Sequence, residues 1–333
     1  MLLRITHVTR YDYSPGVDTA QHMAHLQPPD TPYQSCLSHR IDVTPSYSDF
    51  HTRQDAFGNH CSYWAMTSFH RHLQVCALSE VRTHDPQGDL VYAMALPVHA
   101  LEHASDSAGA NAPTLALALR MGQAWEGVRD RYCYGSGQAN DAVSEFSYAS
   151  HHAPVDAAFA AYAAESFGVG RPLAAAACDL MERIHKDFVY EALSTEISTP
   201  ALDVLAQRRG VCQDFAHVLL ACLRSLGLAA RYVSGYLLTE PAPGQPRLSG
   251  ADASHAWVAV YLPDLGGAHG LPHGGWLDLD PTNNRAGLGT PGPDYVRLAV
   301  GRDFADVSPL RGVLHGGANH TLQVRVTVAP VVD

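Results

Sequence analysis

The chain has 333 residues, 46% of them hydrophobic and 17% charged, a composition typical of a soluble globular protein with two domains or one large one. Its formal net charge of -11 at pH 7 and the lack of a lysine or arginine cluster argue against nucleic acid as a partner. The first ten residues turn polar too early for a signal peptide, and no run of about 18 apolar residues could span a bilayer. We therefore expect a cytoplasmic protein that does not bind membranes.

The cysteines and histidines predict no metal centre and no cofactor. Seven cysteines are scattered along the chain without a Cys-x-x-Cys pair, which fits neither a disulfide scaffold nor a zinc ribbon. His99 and His103 have the His-x-x-Glu-His spacing of some zinc peptidases, but so short a pattern arises easily by chance among 20 histidines. Surface histidines are the simpler interpretation there, and equally at the pairs 70/72 and 151/152.

The amino-terminal part of the chain is predicted to be a β domain, residues 1–85. Residues 2–13 alternate between two faces, as expected of a strand with one solvated face. Shorter β-like runs follow, separated by turns rich in proline and glycine, and this rhythm indicates an antiparallel sandwich or curled sheet. These runs lie at 21–27, 38–44, 61–66 and 72–81.

An expanded connecting region, 86–153, is predicted to follow. Its segments 106–113 and 134–140 are loop-like in composition, and a helix is predicted at 115–129. Helical periodicity then returns at 155–167 and 172–188.

A short helix at 199–206 is predicted to precede the most informative stretch of the chain. Thr199 is its expected N-cap, with Pro200 in the first helical position.

That stretch, 210–227, predicts a helix with a cysteine in its first turn. Its apolar residues recur with helical period, and Gly227 stands where a left-handed C-terminal cap belongs. Cys212 lies outside this apolar stripe, at the end where unpaired N–H groups and the helix dipole favour a thiolate. A small buried cysteine would be the ordinary interpretation, but the segments that follow favour a nucleophile.

Two predicted strands downstream supply the other groups that thiol chemistry needs. His255 begins the first, within 252–262, and Asp278 and Asp280 share one face of the second, within 275–282. A cysteine, a histidine and an aspartate in these places make a plausible nucleophile, base and orienting group. Spacing alone does not choose between the two aspartates.

Four segments together resemble the core of the bacterial transglutaminase-like family, in the same order along the chain. They are 210–217 (Gly-Val-Cys-Gln-Asp-Phe-Ala-His), 231–236 (Arg-Tyr-Val-Ser-Gly-Tyr), 252–257 (Asp-Ala-Ser-His-Ala-Trp) and 276–282 (Trp-Leu-Asp-Leu-Asp-Pro-Thr). Segments 5–13 and 55–59 similarly resemble the amino-terminal domain that precedes this core in bacterial members, and 300–309 resembles the family as well.

The resemblance implies a fold and a set of site residues. The fold is α+β, a papain-like or transglutaminase core in which a cysteine-bearing helix packs on an antiparallel sheet, here over residues 154–333 with its carboxy-terminal strands, after a β-sandwich-like amino-terminal domain. Cys212 matches the family nucleophile, His255 its base, and Asp280, directly before Pro-Thr, its third member.

Four further residues are candidates for supporting roles around this triad or for the oxyanion site. Each could instead be purely structural: Tyr190 as a core aromatic, Asp214 as a favourable charge near the helix N-terminus, and two tryptophans as packing walls. These tryptophans are Trp257 and Trp276.

The expected chemistry is acyl transfer through a thioester, acting on amide or isopeptide bonds of peptides or proteins. Hydrolysis, as in a peptidase or amidase, is favoured slightly over transfer to an amine, as in a protein-glutamine γ-glutamyltransferase. Two different classes of function compete with this chemistry: a non-catalytic binding module on the same fold, and metal-assisted hydrolysis through His99 and His103.

Overall fold

The computed structural model describes residues 1–84, 122–133, 141–191, 199–239, 254–263, 274–316 and 319–331. The loops predicted at 106–113 and 134–140 and the His99/His103 motif lie outside these residues, as does the first part of the helix predicted at 115–129. Within the described ranges, no helix is both long enough and apolar enough to cross a membrane.

The amino-terminal domain is built around one long strand. β1 alternates between buried and more exposed side chains over its first half, as predicted, but it continues without interruption to Gln27. Four strands follow it, and all pairing in this sheet is antiparallel. The strands are β1 (Leu2–Gln27), β2 (Gln34–Thr44), β3 (Asp49–Gln54), β4 (His60–Met66) and β5 (His70–Thr83).

The length of β1 lets it serve two halves of the same sheet. Its first half pairs with β5, which in turn pairs with β2, and its second half pairs with β4, which pairs with β3. Side chains from both halves share one apolar cluster, including Trp64 and Met66 from β4 and Leu73 and Val75 from β5. The sheet therefore curls over its own core, which confirms the curled sheet, one of the two arrangements predicted from the sequence.

The second domain carries the predicted helices. Two of them are shorter than predicted, and the helix predicted to start after Thr199 instead has Pro200 as its N-cap. The elements are α1 (Trp125–Tyr132), a 3₁₀ turn (Ala142–Ser147), α2 (Ala157–Ala164), α3 (Leu173–Asp187), β6 (Val189–Tyr190), α4 (Ala201–Gln207), β7 (Arg209–Gly210) and α5 (Cys212–Ser225).

An antiparallel sheet of five strands follows α5, in the spatial order β11-β10-β9-β8-β12. Its helix-facing side packs against the apolar stripe of α5, where Phe215 and Leu219 meet Val258 and Leu279. This confirms the α+β class expected from the sequence. The strands are β8 (Ala230–Leu237), β9 (Ser254–Leu262), β10 (Gly275–Asp280), β11 (Arg285–Leu288) and β12 (Tyr295–Gly301).

The end of the chain differs from the predicted domain division. After a short helix, α6 (Phe304–Val307), the strands β13 (Leu310–Gly316) and β14 (Asn319–Pro330) both pair with β1. They complete the amino-terminal sheet, although the sequence analysis placed them in the catalytic core at 154–333. Periodicity identifies a strand but not its partner, so this long-range pairing could not be read from the sequence.

The two domains share a buried interface on the side of the five-stranded sheet away from α5. Leu3 and Ile5 of β1 pack with Tyr236 and Val296 there. Asn59 adds two hydrogen bonds to the Val300 backbone, donating to its oxygen at 2.7 Å and accepting from its nitrogen at 2.8 Å. The five-stranded sheet is therefore covered by helices on one face and by the amino-terminal domain on the other.

Two histidines depart from the expected surface location. His70 is buried and hydrogen bonds through Nδ1 to the Ser68 carbonyl oxygen at 2.9 Å. His152 is half-buried and stacks on the buried His217, with ring centroids 5.0 Å apart. Because imidazole combines an apolar face with polar edges, its burial depends on tertiary packing that the local sequence does not encode.

Candidate active site

Cys212 is the first residue of α5, directly after the short strand β7 and Val211. The Asp214 carboxylate accepts a hydrogen bond from the Val211 backbone N–H at 2.8 Å, which stabilises this helix start. A Cβ at Gly210 would lie 2.6 Å from Asp214 Oδ2, so the turn needs a glycine there. At the other end, Gly227 has the predicted left-handed conformation, with φ of 79°.

His255 lies at the start of β9 and contacts both other members of the predicted triad. Its Nε2 donates to Asp280 Oδ2 at 2.7 Å, and its side chain is hydrogen bonded to that of Cys212. Since Nε2 serves the carboxylate, Nδ1 is the ring nitrogen available to the thiol. The structure thus brings Cys212, His255 and Asp280 together in one hydrogen-bonded chain.

Asp280 is completely buried but well supplied with donors. Its Oδ2 accepts from Asn283 Nδ2 at 2.8 Å and from the Tyr295 hydroxyl at 2.7 Å, besides His255. Its Oδ1 accepts from the Thr282 backbone N–H at 2.9 Å. Burial by itself would raise the pKa of Asp280, but the charge of His255 and these hydrogen bonds lower it to about 2.

The same contacts favour the protonated form of His255. Burial opposes a charged imidazole, but the carboxylate of Asp280 and the hydrogen bond to Cys212 outweigh it and raise the pKa of His255 to about 10. An imidazolium beside the sulfur stabilises a thiolate. The site can therefore hold a charged pair made of a nucleophile and a general acid.

The two aspartates of β10 have different partners. Asp278 accepts from Trp257 Nε1 at 2.6 Å, whereas Asp280 accepts from His255. Of the two aspartates that spacing left open, Asp280 is the one that contacts His255. Trp276 packs elsewhere, with the Arg231 guanidinium 4.0 Å from its ring centroid and Phe146 and Tyr261 against its edges.

Tyr190 lies near the thiol on β6, opposite Gly210 of β7. Its side chain is 54% exposed, and its ring meets Phe215 edge-on at 6.3 Å, so it is not a core aromatic. Burial of its inner part raises the pKa of Tyr190, and charge on the neighbouring Cys212 and Asp214 raises it further. Its role in the oxyanion site stays a prediction.

Sequence reasoning missed the two side chains that hold Asp280 in place. Asn283 follows the Asp-Pro-Thr turn directly, so its closeness in sequence was an available signal. Tyr295 comes from β12, an edge strand that β9 and β8 separate from β10, and no local pattern distinguishes it from other strand aromatics.

One group of possible metal ligands occurs in the described part of the chain, outside this site. Atoms of His25, Asp55 and Cys61 lie within 4.8 Å of one another. The Asp55 oxygens already accept hydrogen bonds from the backbone of Phe57 and from the backbone and side chain of Asn59. These bonds shape the turn between β3 and β4, so the cluster is explained without an ion.

Comparison with known proteins places the chain in a family. The profile of the bacterial transglutaminase-like N-terminal region matches residues 3–82, and that of the transglutaminase-like superfamily core matches residues 160–281. Uncharacterised proteins of Mycobacterium tuberculosis and Mycobacterium bovis are 37% identical over 328 residues, which cover 98% of this chain and 92% of each relative.

More distant similarities agree with this placement. A protein-glutamine γ-glutamyltransferase of Pseudomonas aeruginosa is 30% identical over 115 residues, 34% of this chain and 16% of that enzyme. The structure of a proposed cysteine protease from Cytophaga hutchinsonii superposes with a TM-score of 0.66 and 19% identity, covering 100% of this chain and 91% of the other. At that identity the likeness shows the fold. The chain belongs to the transglutaminase-like superfamily, with the bacterial N-terminal region of that family in front of the core.

Proposed function

We propose that the protein is a thiol enzyme that cleaves amide or isopeptide bonds of peptides or proteins through a thioester. The observation that carries this proposal is the hydrogen-bonded chain from Cys212 at a helix start, through His255, to the buried Asp280. In this scheme Cys212 is the nucleophile, His255 the general acid and base, and Asp280 the group that orients the imidazole.

The first half of the reaction uses the charged pair. The Cys212 thiolate attacks the carbonyl carbon, an S–C bond forms, and the tetrahedral oxygen takes the negative charge. When the C–N bond breaks, His255 gives its proton to the departing amine, which leaves a thioester and a neutral imidazole. Backbone N–H groups at the start of α5 are suited to bind the oxyanion, and Tyr190 is the candidate side chain for the same role.

The second half decides between two enzyme classes. Water activated by the neutral His255 would attack the thioester and release a free acid, which restores the thiolate–imidazolium pair. Hydrolysis is our first choice, and it agrees with the name of the structural neighbour that shares this fold over the entire chain, a proposed cysteine protease. The similarity to a γ-glutamyltransferase, although limited to 34% of this chain, makes transfer to a primary amine the second candidate.

A competition experiment separates these outcomes. The enzyme is incubated with a peptide library that contains glutamine and glutamate amides, in water with a primary-amine probe, and products are identified by mass spectrometry. Release of free acid that disappears in Cys212→Ala supports hydrolysis. Amine adducts that dominate at low probe concentration would replace it by transfer. Turnover that survives in Cys212→Ala would contradict the thiol mechanism itself.

The same experiment tests whether the chain is instead a non-catalytic binding module. In that case neither product forms from any peptide, and no thioester on Cys212 is trapped when the reaction is quenched in acid.

A further inference from the structure

A second hydrogen-bonded pair lies beside the triad and repeats its geometry two residues away on both strands. His255 and Trp257 share one face of β9, and Asp280 and Asp278 share one face of β10. Each aspartate accepts a short hydrogen bond from one of the two ring N–H groups: Asp280 from His255 at 2.7 Å and Asp278 from Trp257 at 2.6 Å. Both aspartates are fully buried.

The indole of Trp257 contacts the triad from the side. Its centroid lies 6.1 Å from that of His255, with 32° between the planes, and 5.4 Å from that of Tyr295 in an edge-on arrangement. Tyr295 in turn donates its hydroxyl to Asp280. A change in the angle of the indole would therefore alter its contacts with the His255 imidazole and with Tyr295, one of the donors to Asp280.

The indole is held tightly in this position. A Cβ on Gly235, which is paired with His255 in the sheet, would lie 2.5 Å from Trp257 Cη2, so the ring occupies the space that a side chain would take. Trp257 is 1% exposed. The hydrogen bond from the indole N–H to Asp278 also fixes the rotamer of the Trp257 side chain.

We propose that Trp257 and Asp278 are a positioning pair for His255: Asp278 holds the indole, and the indole fixes the tilt of the imidazole and stabilises its protonated form. An imidazolium near an indole gains from the negative face of the ring, and a carboxylate on the indole N–H increases that gain. The inference rests on the proposed thiol mechanism, because a fixed imidazolium is useful only if His255 transfers a proton to the substrate.

The groups around His255 and Asp278 influence the pKa of His255, which the experiment measures. Five side chains face His255. They are Cys212 from α5, Trp257 from β9, Asp280 from β10, Asn283 from the turn after β10 and Tyr295 from β12. Asp278 is influenced by Arg231 of β8 and Arg297 of β12, and its charge acts on Tyr33, which precedes β2. Loss of the Asp278 charge leaves the two arginines unbalanced, which also works against a protonated His255.

Two variants test the pair. Trp257→Phe keeps an aromatic ring beside His255 but removes the N–H, and Asp278→Asn keeps the acceptor oxygen but removes the charge. Nuclear magnetic resonance of protein with isotope-labelled histidine follows the His255 ring between pH 6 and 11, its signals being identified as those missing in His255→Gln. We expect both variants to shift the deprotonation of His255 to lower pH by about half a pH unit or more.

A kinetic measurement accompanies the titration. The rate of Cys212 alkylation by iodoacetamide at pH 6 reports the thiolate–imidazolium pair without any knowledge of the substrate. Because His255 remains protonated at pH 6 in both variants, a change in this rate reports the placement of the imidazolium beside the sulfur. We expect Trp257→Phe to slow this alkylation several-fold and Asp278→Asn to slow it less, because the amide can still accept from the indole. Trp64→Phe is the matched control, since it removes a buried indole from the amino-terminal sheet that stacks on His22 and leaves both readouts unchanged.

The outcomes distinguish this inference from the proposed function. Folded Trp257→Phe or Asp278→Asn protein with a wild-type His255 titration and alkylation rate would show that the pair is only structural. If Trp257→Phe does not fold, the isosteric Asp278→Asn decides alone. A wild-type protein in which His255 is neutral at pH 7 or Cys212 is no more reactive than Cys133 would overturn the proposed function before the pair is considered.

Discussion

The Tyr295 hydroxyl donates to Asp280 Oδ2 at 2.7 Å, although two other strands, β9 and β8, lie between β12 and β10 in the sheet. Burial, followed by the charge of Asp280, raises the pKa of Tyr295 strongly, so the hydroxyl stays a donor across the accessible pH range. Asp280 is thereby held by donors from two directions, Tyr295 on one side and Asn283 on the other.

This arrangement predicts that Tyr295→Phe reduces turnover without changing the nucleophile. The variant removes one hydrogen bond to a buried carboxylate, which is worth about 1.5–3 kcal/mol for a charged acceptor. The pKa of Asp280 should rise and that of His255 should fall, so we expect kcat to decrease by on the order of tenfold. Steady-state kinetics over pH 6–10 would measure both effects.

Phe50→Leu is a suitable control for Tyr295→Phe, because it changes an aromatic packed against the amino-terminal core. If Tyr295→Phe retains wild-type kcat at every pH, Asn283 and His255 are enough to hold Asp280, and the role assigned to Tyr295 is wrong.

A second prediction concerns the two aspartates of β10. Asp280→Asn should lower turnover by on the order of a hundredfold or more, since the amide can hold the imidazole in the wrong tautomer. The imidazolium in the wild type persists up to a pKa of about 10, so activity that needs a proton on His255 is present below that pH and lost above it. In Asp280→Asn the basic limb of the pH–activity profile, where activity is lost with rising pH, should move down towards pH 6.5.

Asp278→Asn is the internal comparison, because both residues are buried carboxylates on one strand. Its effect should be confined to a modest shift of the basic limb. Equal losses of turnover from the two substitutions would remove the distinction that hydrogen bonding makes between them.

A third prediction concerns the reactivity of the cysteines. At pH 6, iodoacetamide should modify Cys212 well before the other six, as followed by peptide mapping. Cys222 is buried, and burial raises its pKa to about 12, while burial also raises the pKa values of the thiols of Cys36, Cys61 and Cys76. Cys133 is exposed and is the sharpest comparison, because accessibility alone would favour it.

His255→Gln should remove the advantage of Cys212 while leaving the slow labelling of Cys133 unchanged. Preferential modification of Cys133 or Cys178 in the wild type would argue against the nucleophile assignment.

The sequence predicted the local elements of this site well because their signals are local. The apolar stripe of α5 and the left-handed Gly227 are set by residues within four positions, and the helix start at Cys212 was found in this way. The pairing of β13 and β14 with β1, in contrast, depends on contacts across about 300 residues. No periodicity encodes such a partner choice.

The hydrogen-bond partners of charged side chains could not be predicted from the sequence either. Asp278 and Asp280 have the same spacing, the same strand and the same burial, and only the tertiary positions of Trp257 and His255 distinguish them. Family resemblance selected Asp280, and the physical reason for that selection became apparent only in the packed sheet.

The last prediction is a loss of stability in mild acid, caused by histidines that are buried in the neutral form. His7 lies between the Tyr236 hydroxyl and the Thr9 hydroxyl, and burial lowers its pKa to about 4. His217 accepts from the Phe304 backbone N–H, and burial lowers its pKa to about 3. In the unfolded chain both titrate near 6.5.

The sign of the effect follows from the lowered pKa values. Above pH 6.5 neither state binds the extra protons, so the stabilisation is complete. As the pH falls from 6.5 towards 4, these histidines bind protons in the unfolded chain but not in the folded protein. Each such histidine lowers the free energy of unfolding by about 1.4 kcal/mol per pH unit. Asp280, with a pKa of about 2, and His255, with a pKa of about 10, keep their charge through this window.

Urea unfolding at pH 7.5, 6.5, 5.5 and 5.0 measures this dependence, with the free energy of unfolding compared between wild type and His7→Gln. The glutamine can replace the hydrogen bonds of His7 but takes up no proton, so the variant should lose less stability between pH 6.5 and 5.0, by up to about 2 kcal/mol. His320→Gln, which changes an exposed histidine on β14, is the control and should follow the wild type. Parallel curves for wild type and His7→Gln would mean that His7 is protonated in the folded protein, and the Tyr236–His7–Thr9 contact would then need the charged form of the ring.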